Sequence, residues 1–155
     1  MLRSLSPPMK ATFVQVPAEA FRSRLAGAGF RLLDGAHLPE EVYDRVHDRD
    51  PRYVVRVFST IQRGEAGTRE RGVDAVRVVA VFTPNPNAER PTSLPIFTGA
   101  RVHRSGTVER VLDRVIERAR EAYAEIDKHR LMAAVAEYAF DAAARFGRDL
   151  RKRRA

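Results

Sequence analysis

Three arginines stand inside segments that otherwise read as apolar β-strands: Arg56 in YVVRVFSTI, Arg77 in DAVRVVAVF and Arg101 in FTGARVHR. A guanidinium buried without a partner is costly, so each of these side chains must face water or a ligand. On three neighbouring strands they form a positive stripe across one sheet face. Guanidinium groups grip phosphates through paired hydrogen bonds, and a ring beside them gives an unpaired base a surface to stack on. Period-two alternation puts Phe58 on the face of Arg56, and Phe97 and His103 on the face of Arg101. That mixture suits single-stranded nucleic acid. The competing reading is a solvated face whose arginines are neutralised by Asp44, Asp74 or Glu70.

Two further basic clusters extend the stripe. The segment QRGEAGTRERG, residues 62–72, carries Arg63, Arg69 and Arg71 at a hairpin tip, a position from which side chains grip backbone phosphates, though Glu65 and Glu70 dilute the charge. The chain closes on RDLRKRRA, in which Arg151 and Arg153 stand among the cations. Residues 141–155 hold six basic and two acidic side chains, a net +4 out of +8 for the whole chain. With 28 Lys+Arg against 20 Asp+Glu, the balance favours a polyanionic partner, and nucleic acid is the partner expected.

Catalytic signatures are weak by comparison. The histidines His37, His47, His103 and His129 show no metal-ligand spacing, and the chain has no cysteine for a thiolate site, a nucleophile or a disulfide. Asp44, Asp48, Asp50 and Asp74 fall at turns or strand ends without the clustering that a divalent metal needs. No glycine-rich phosphate loop or nucleophile elbow is present. The expectation is a non-catalytic binding protein without metal or cofactor; a metal-dependent phosphodiesterase is a lesser alternative.

These residues need elements to hold them. At 155 residues with 44% apolar content, the chain is long enough for one domain with its own core. Residues 1–10 read as a disordered N-terminal extension, 11–147 as a single α+β domain and 148–155 as a basic tail. No segment has the length or apolarity of a membrane span, and the expected setting is cytoplasmic. Alternation predicts a short strand over Thr12–Val16, a helix over Ala18–Ala26 ended by Gly27 and Gly29, and a strand over Phe30–Leu33. A turn follows around Asp34-Gly35 and Leu38-Pro39, then strands over Glu41–His47, Tyr53–Ile61, Val73–Thr83 and Ile96–Arg104. The predicted order is β-α-β-β-β-β-α-α: an antiparallel meander of four or five strands packed on helices.

From Thr107 to Phe146 there is neither proline nor glycine, and Thr107 is placed to cap a helix. One apolar stripe runs from Val108 to Ile126. A second uses Leu131, Val135, Tyr138, Ala142 and Phe146 and points the opposite way at about 100° per residue. A break around Asp127–Arg130 resolves the conflict. The alternative is one long helix whose second stripe meets another subunit, making the protein an assembly or interaction module.

The element order over residues 17–126, helix then antiparallel strands then a long helix, resembles double-stranded-RNA-binding-type domains. It also resembles the β-β-β-α core of Rad52-type single-strand annealing proteins. YVVRVFSTI, GVDAVRVVAVF and ARVHR are similar to segments of small uncharacterised bacterial and phage proteins. The annealing resemblance implies an oligomer that binds single-stranded DNA in a positive groove; it transfers no individual residue.

Overall fold

Valine-rich strands with period-two alternation pair here in sequence order, each with the next. The computed structural model describes residues 13–33, 40–63 and 70–154. Helix α1 (Ala18–Gly27) precedes strands β1 (Arg31–Leu32), β2 (Glu40–Val46), β3 (Tyr53–Arg63), β4 (Glu70–Phe82) and β5 (Leu94–Arg101), and helix α2 (Val108–Arg154) ends the chain. The strands form one open antiparallel sheet in the order β1-β2-β3-β4-β5. Alternation sends Tyr53, Val55, Val57 and Ile61 of β3 and Val76, Val78 and Ala80 of β4 to one face, where all are buried. Phe21 and Leu25 of α1 and Val111, Leu112, Val115, Ala119, Ala122 and Ile126 of α2 pack on that face. Both helices cover the same side. Among the described residues no helix covers the other face of the sheet.

Three departures from the expected elements have physical causes. Phe13–Val16 makes two isolated bridges, Phe13 with Ser105 and Val16 with Val73, and forms no strand. Each bridge reaches a different part of the chain, so no ladder propagates before Pro17 starts α1. Strands β3 and β4 run past the expected limits, to Arg63 and from Glu70, through a register shift after Thr60. The third departure is α2. It is one continuous helix of 47 residues, with no break at Asp127–Arg130. Without proline, and with no glycine before Gly147, nothing in its sequence terminates it. Thr107 caps it, its Oγ1 accepting from the Arg110 N–H at 3.2 Å. The basic run from Arg148 is therefore helical through Arg154.

The region expected to break is instead where α2 is fastened. The Asp127 carboxylate lies 3.1 Å from His47 Nε2, and Tyr53 Oη lies 2.7 Å from His129 Nδ1. His47 Nδ1 accepts from the backbone N–H groups of Arg49 and Asp50, which turns the Nε2–H toward Asp127. After Arg130 no residue of α2 is buried. Residues 131–154, about 36 Å of helix at 1.5 Å per residue, project beyond the sheet. Among the described residues no helix is long and apolar enough to cross a membrane.

Candidate nucleic-acid interface

Strand register builds the open face in rows running across the sheet. Val42 lies opposite Phe58, Phe58 opposite Arg77, and Arg77 opposite Arg101. One row therefore reads apolar, aromatic, cation, cation. Phe58 is 39% exposed. Arg77 and Arg101 are both exposed, and among the described residues neither forms an ion pair or side-chain hydrogen bond. Together with Glu40, Thr60 and Ala75 they line a shallow concavity of about 280 Å³. Like charges facing each other across a ladder destabilise a sheet. An anion seated between the two guanidinium groups would relieve that repulsion.

The neighbouring row behaves differently. Asp44 lies opposite Arg56, and Arg56 opposite Val79. Arg56 Nε and Nη2 donate to the two Asp44 carboxylate oxygens at 2.7 and 2.9 Å, a two-pronged pair with side chains only 29% and 13% exposed. Those hydrogen bonds hold the Arg56 guanidinium above its ordinary pKa against the opposing effect of burial. Arg56 shares the outer face with Arg77 and Arg101, but its charge is already answered. The stripe of three free arginines is thus a pair.

The remaining predicted residues divide. Phe97 lies on the opposite face: register shifts between Arg77 and Val79 and between Ala80 and Val81 set it against Ala80, and it packs half-buried on the core. Thr98 takes the outer position opposite Val79. His103 is exposed beyond the end of β5, its Nδ1 2.8 Å from Ser105 Oγ. With Arg101, Arg114 and Arg118 it lines a second concavity of about 190 Å³, so Arg101 borders both hollows. Arg69 lies outside the described residues, as do the side chains of Arg63 and Arg71. Arg151 and Arg153 are exposed at the far end of α2, beyond the sheet. Asp74, the other carboxylate considered as a partner, lies 3.3 Å from Arg104.

Sequence reasoning missed Arg114 and Arg118. Arg110, Arg114 and Arg118 recur every four residues, a spacing that places them on one helix face. Arg114 is also structural, since its Nη1 donates to the carbonyls of His103 and Ser105 at 2.9 and 2.6 Å and so holds the turn into α2. Arg118 pairs with Glu121 at 2.8 Å.

The inner face also carries a buried polar cluster around Glu41 that positions the sheet. Glu41, 6% exposed, accepts from Arg22 of α1 and from the Tyr43 hydroxyl. Burial alone would raise the Glu41 pKa, but the hydrogen bonds from Arg22 and Tyr43 and the Arg22 charge outweigh it and hold the carboxyl below its usual range. Burial and the same carboxylate push the Tyr43 hydroxyl well above its ordinary value. The cluster fastens α1 to β2. Among the described residues, no three His, Asp or Glu side chains gather as a metal site would require.

Set against protein-family models, curated proteins and solved structures, the chain matches none. The functional reading therefore rests on the geometry of the open face.

Proposed function

We propose that this protein is a non-catalytic nucleic-acid-binding module whose open sheet face takes a single strand. The observation that supports this reading is the row Phe58–Arg77–Arg101: two directly opposed arginines that form no ion pair among the described residues, beside a half-exposed ring, on a face that no described helix covers. The cations would hold successive phosphates and Phe58 would stack a base. Around the β5 edge Arg101 also borders a hollow of mixed charge, lined by His103, Arg114 and Arg118 together with Glu117 and Glu121. The net charge of +8 supplies long-range attraction. Having no cysteine, the chain needs no oxidising compartment, and we place it in the cytoplasm.

The test is fluorescence anisotropy with single- and double-stranded DNA and RNA at two salt concentrations. Single strands should bind, and more weakly as salt rises, because phosphate neutralisation releases counterions. Absence of binding at low salt ends the proposal. Binding that survives reversal of both Arg77 and Arg101 moves the site elsewhere.

A further inference from the structure

The projecting part of α2 carries a surface that the strand-binding reading does not use. Taking Ile126 as the centre of the buried face, about 100° per residue puts Leu131, Val135, Tyr138, Ala142 and Phe146 at about 120–200° around the helix, on the side opposite the core. They are bare. Leu131, Val135, Tyr138 and Phe146 are 67%, 59%, 77% and 66% exposed. Because the helix is continuous, this stripe has no route back to the chain's own sheet.

We infer that a second copy of the chain covers the stripe, with the two α2 arms packed antiparallel about a twofold axis between Tyr138 and Ala139. Charge selects this arrangement. The stripe is bounded by Lys128 at one end and Asp149 at the other, both in angular line with it. Run antiparallel about that axis, Leu131 meets Phe146, Val135 meets Ala142, and Lys128 of each copy meets Asp149 of the other. Arg153 then falls between Glu121 and Glu125 on the exposed back of the second copy's helix. These carboxylates otherwise have only exposed pairs, with Arg118 at 2.8 Å and Lys128 at 3.4 Å. A parallel pair would set Lys128 against Lys128 and Asp149 against Asp149, and would bring both Arg151–Arg154 ends together. The antiparallel interface is self-complementary, so it closes at two copies.

The full chain, treated with nuclease to remove nucleic acid, should sediment as a dimer. Val135→Glu with Tyr138→Glu should leave a monomer whose circular dichroism still shows the folded body, since neither side chain touches it. Lys128→Glu alone and Asp149→Lys alone should each weaken the dimer, by about tenfold for two surface pairs, and the double exchange should restore it. The lack of cysteine makes thiol cross-linking a clean second measurement. A Lys128→Cys chain mixed with an Asp149→Cys chain should form the mixed disulfide in preference to either self-pair. Self-pairing at Lys128→Cys, or failure of the exchange to restore association, would overturn the antiparallel arrangement. A wild-type chain that stays monomeric at about 100 μM would overturn the second copy as occupant, leaving the stripe to a different protein. None of these readouts requires that a nucleic acid binds.

Discussion

Replacing Arg101 by glutamate should make the protein more stable and a poorer binder at once. In the wild-type sheet Arg101 and Arg77 face each other directly, and among the described residues neither forms an ion pair. The substitution removes a like-charge cross-strand pair and creates an opposite-charge pair, each change being worth about 0.2–1 kcal/mol, so the sum is about 0.5–2 kcal/mol of added stability. For a chain of this size that is a rise of about 2–6 °C in Tm. Binding changes the other way. Arg101 is lost and Arg77 is engaged by the new carboxylate, so two phosphate contacts disappear. At about 0.7 per contact for single strands, the slope of log affinity against log salt should fall by about 1.4, which at 0.1 M salt is about 25-fold in affinity relative to a 1 M reference. Thermal unfolding by circular dichroism and anisotropy titrations across a salt series read the two halves separately. A lower Tm would show that the opposed guanidinium groups are not in conflict. An unchanged salt slope would show that the strand does not cross this row.

Asp44→Asn should strengthen binding about fivefold at 0.1 M salt by freeing the Arg56 charge for one more phosphate, with a slope steeper by about 0.7; anisotropy titration of the variant decides it. Glu41→Gln should cost about 1.5–3 kcal/mol in urea unfolding at neutral pH. Because the folded pKa of Glu41 is depressed, its contribution is full above the unfolded value of about 4.3 and fades as pH falls through the lower folded value. The gap between wild type and Glu41→Gln should therefore close in acid, and a constant gap would deny the Arg22–Glu41 pair its role. Gly72→Ala should destabilise by about 1–3 kcal/mol, since Gly72 sits at φ 147° and an added Cβ would meet the Val16 carbonyl oxygen at 2.5 Å. Equal midpoints in denaturant would refute that strain.

The sheet was legible because alternation over β3 and β4 is long and unbroken. Val54, Arg56, Phe58 and Thr60 oppose Val55, Val57 and Ser59 by period alone, and the pairing confirms it. Beyond β4 the period fails. A shift of one position in the β4–β5 ladder turns Phe97 inward, and nothing in LPIFTGAR marks where an extra residue enters, apart from Gly99, whose missing side chain admits the Val78 carbonyl at 3.0 Å from where a Cβ would stand. The neutralisation of Arg56 was visible only as one of several candidate pairings. Asp44 and Arg56 meet because β2 and β3 share a particular register, which depends on the geometry of the connection through Asp48–Pro51 as well as on the strands' own pattern.

The helix shows how a conflict in pattern can be read two ways. Two stripes on opposite sides of one proline-free segment demand either a break or a second partner, and local propensity favours continuity because neither proline nor glycine falls between Thr107 and Phe146. Tertiary contacts then decide: Asp127 and His129 fasten the junction to His47 and Tyr53, so the first stripe stays on the sheet and the second is carried out beyond it. The consequence for function is geometric. The inner sheet face is filled by α1 and α2, and the Phe58–Arg77–Arg101 row lies on the other side of the sheet. A dimer joined through the arms therefore covers neither open face. In the antiparallel register the two Ile126 positions stand about 25 residues apart along the helices, roughly 37 Å. Each body would offer only two free arginines in its row, a weak site alone. Two such sites held at a fixed spacing turn the second contact into an intramolecular one, so a strand long enough to reach both gains affinity without any new residue in either site.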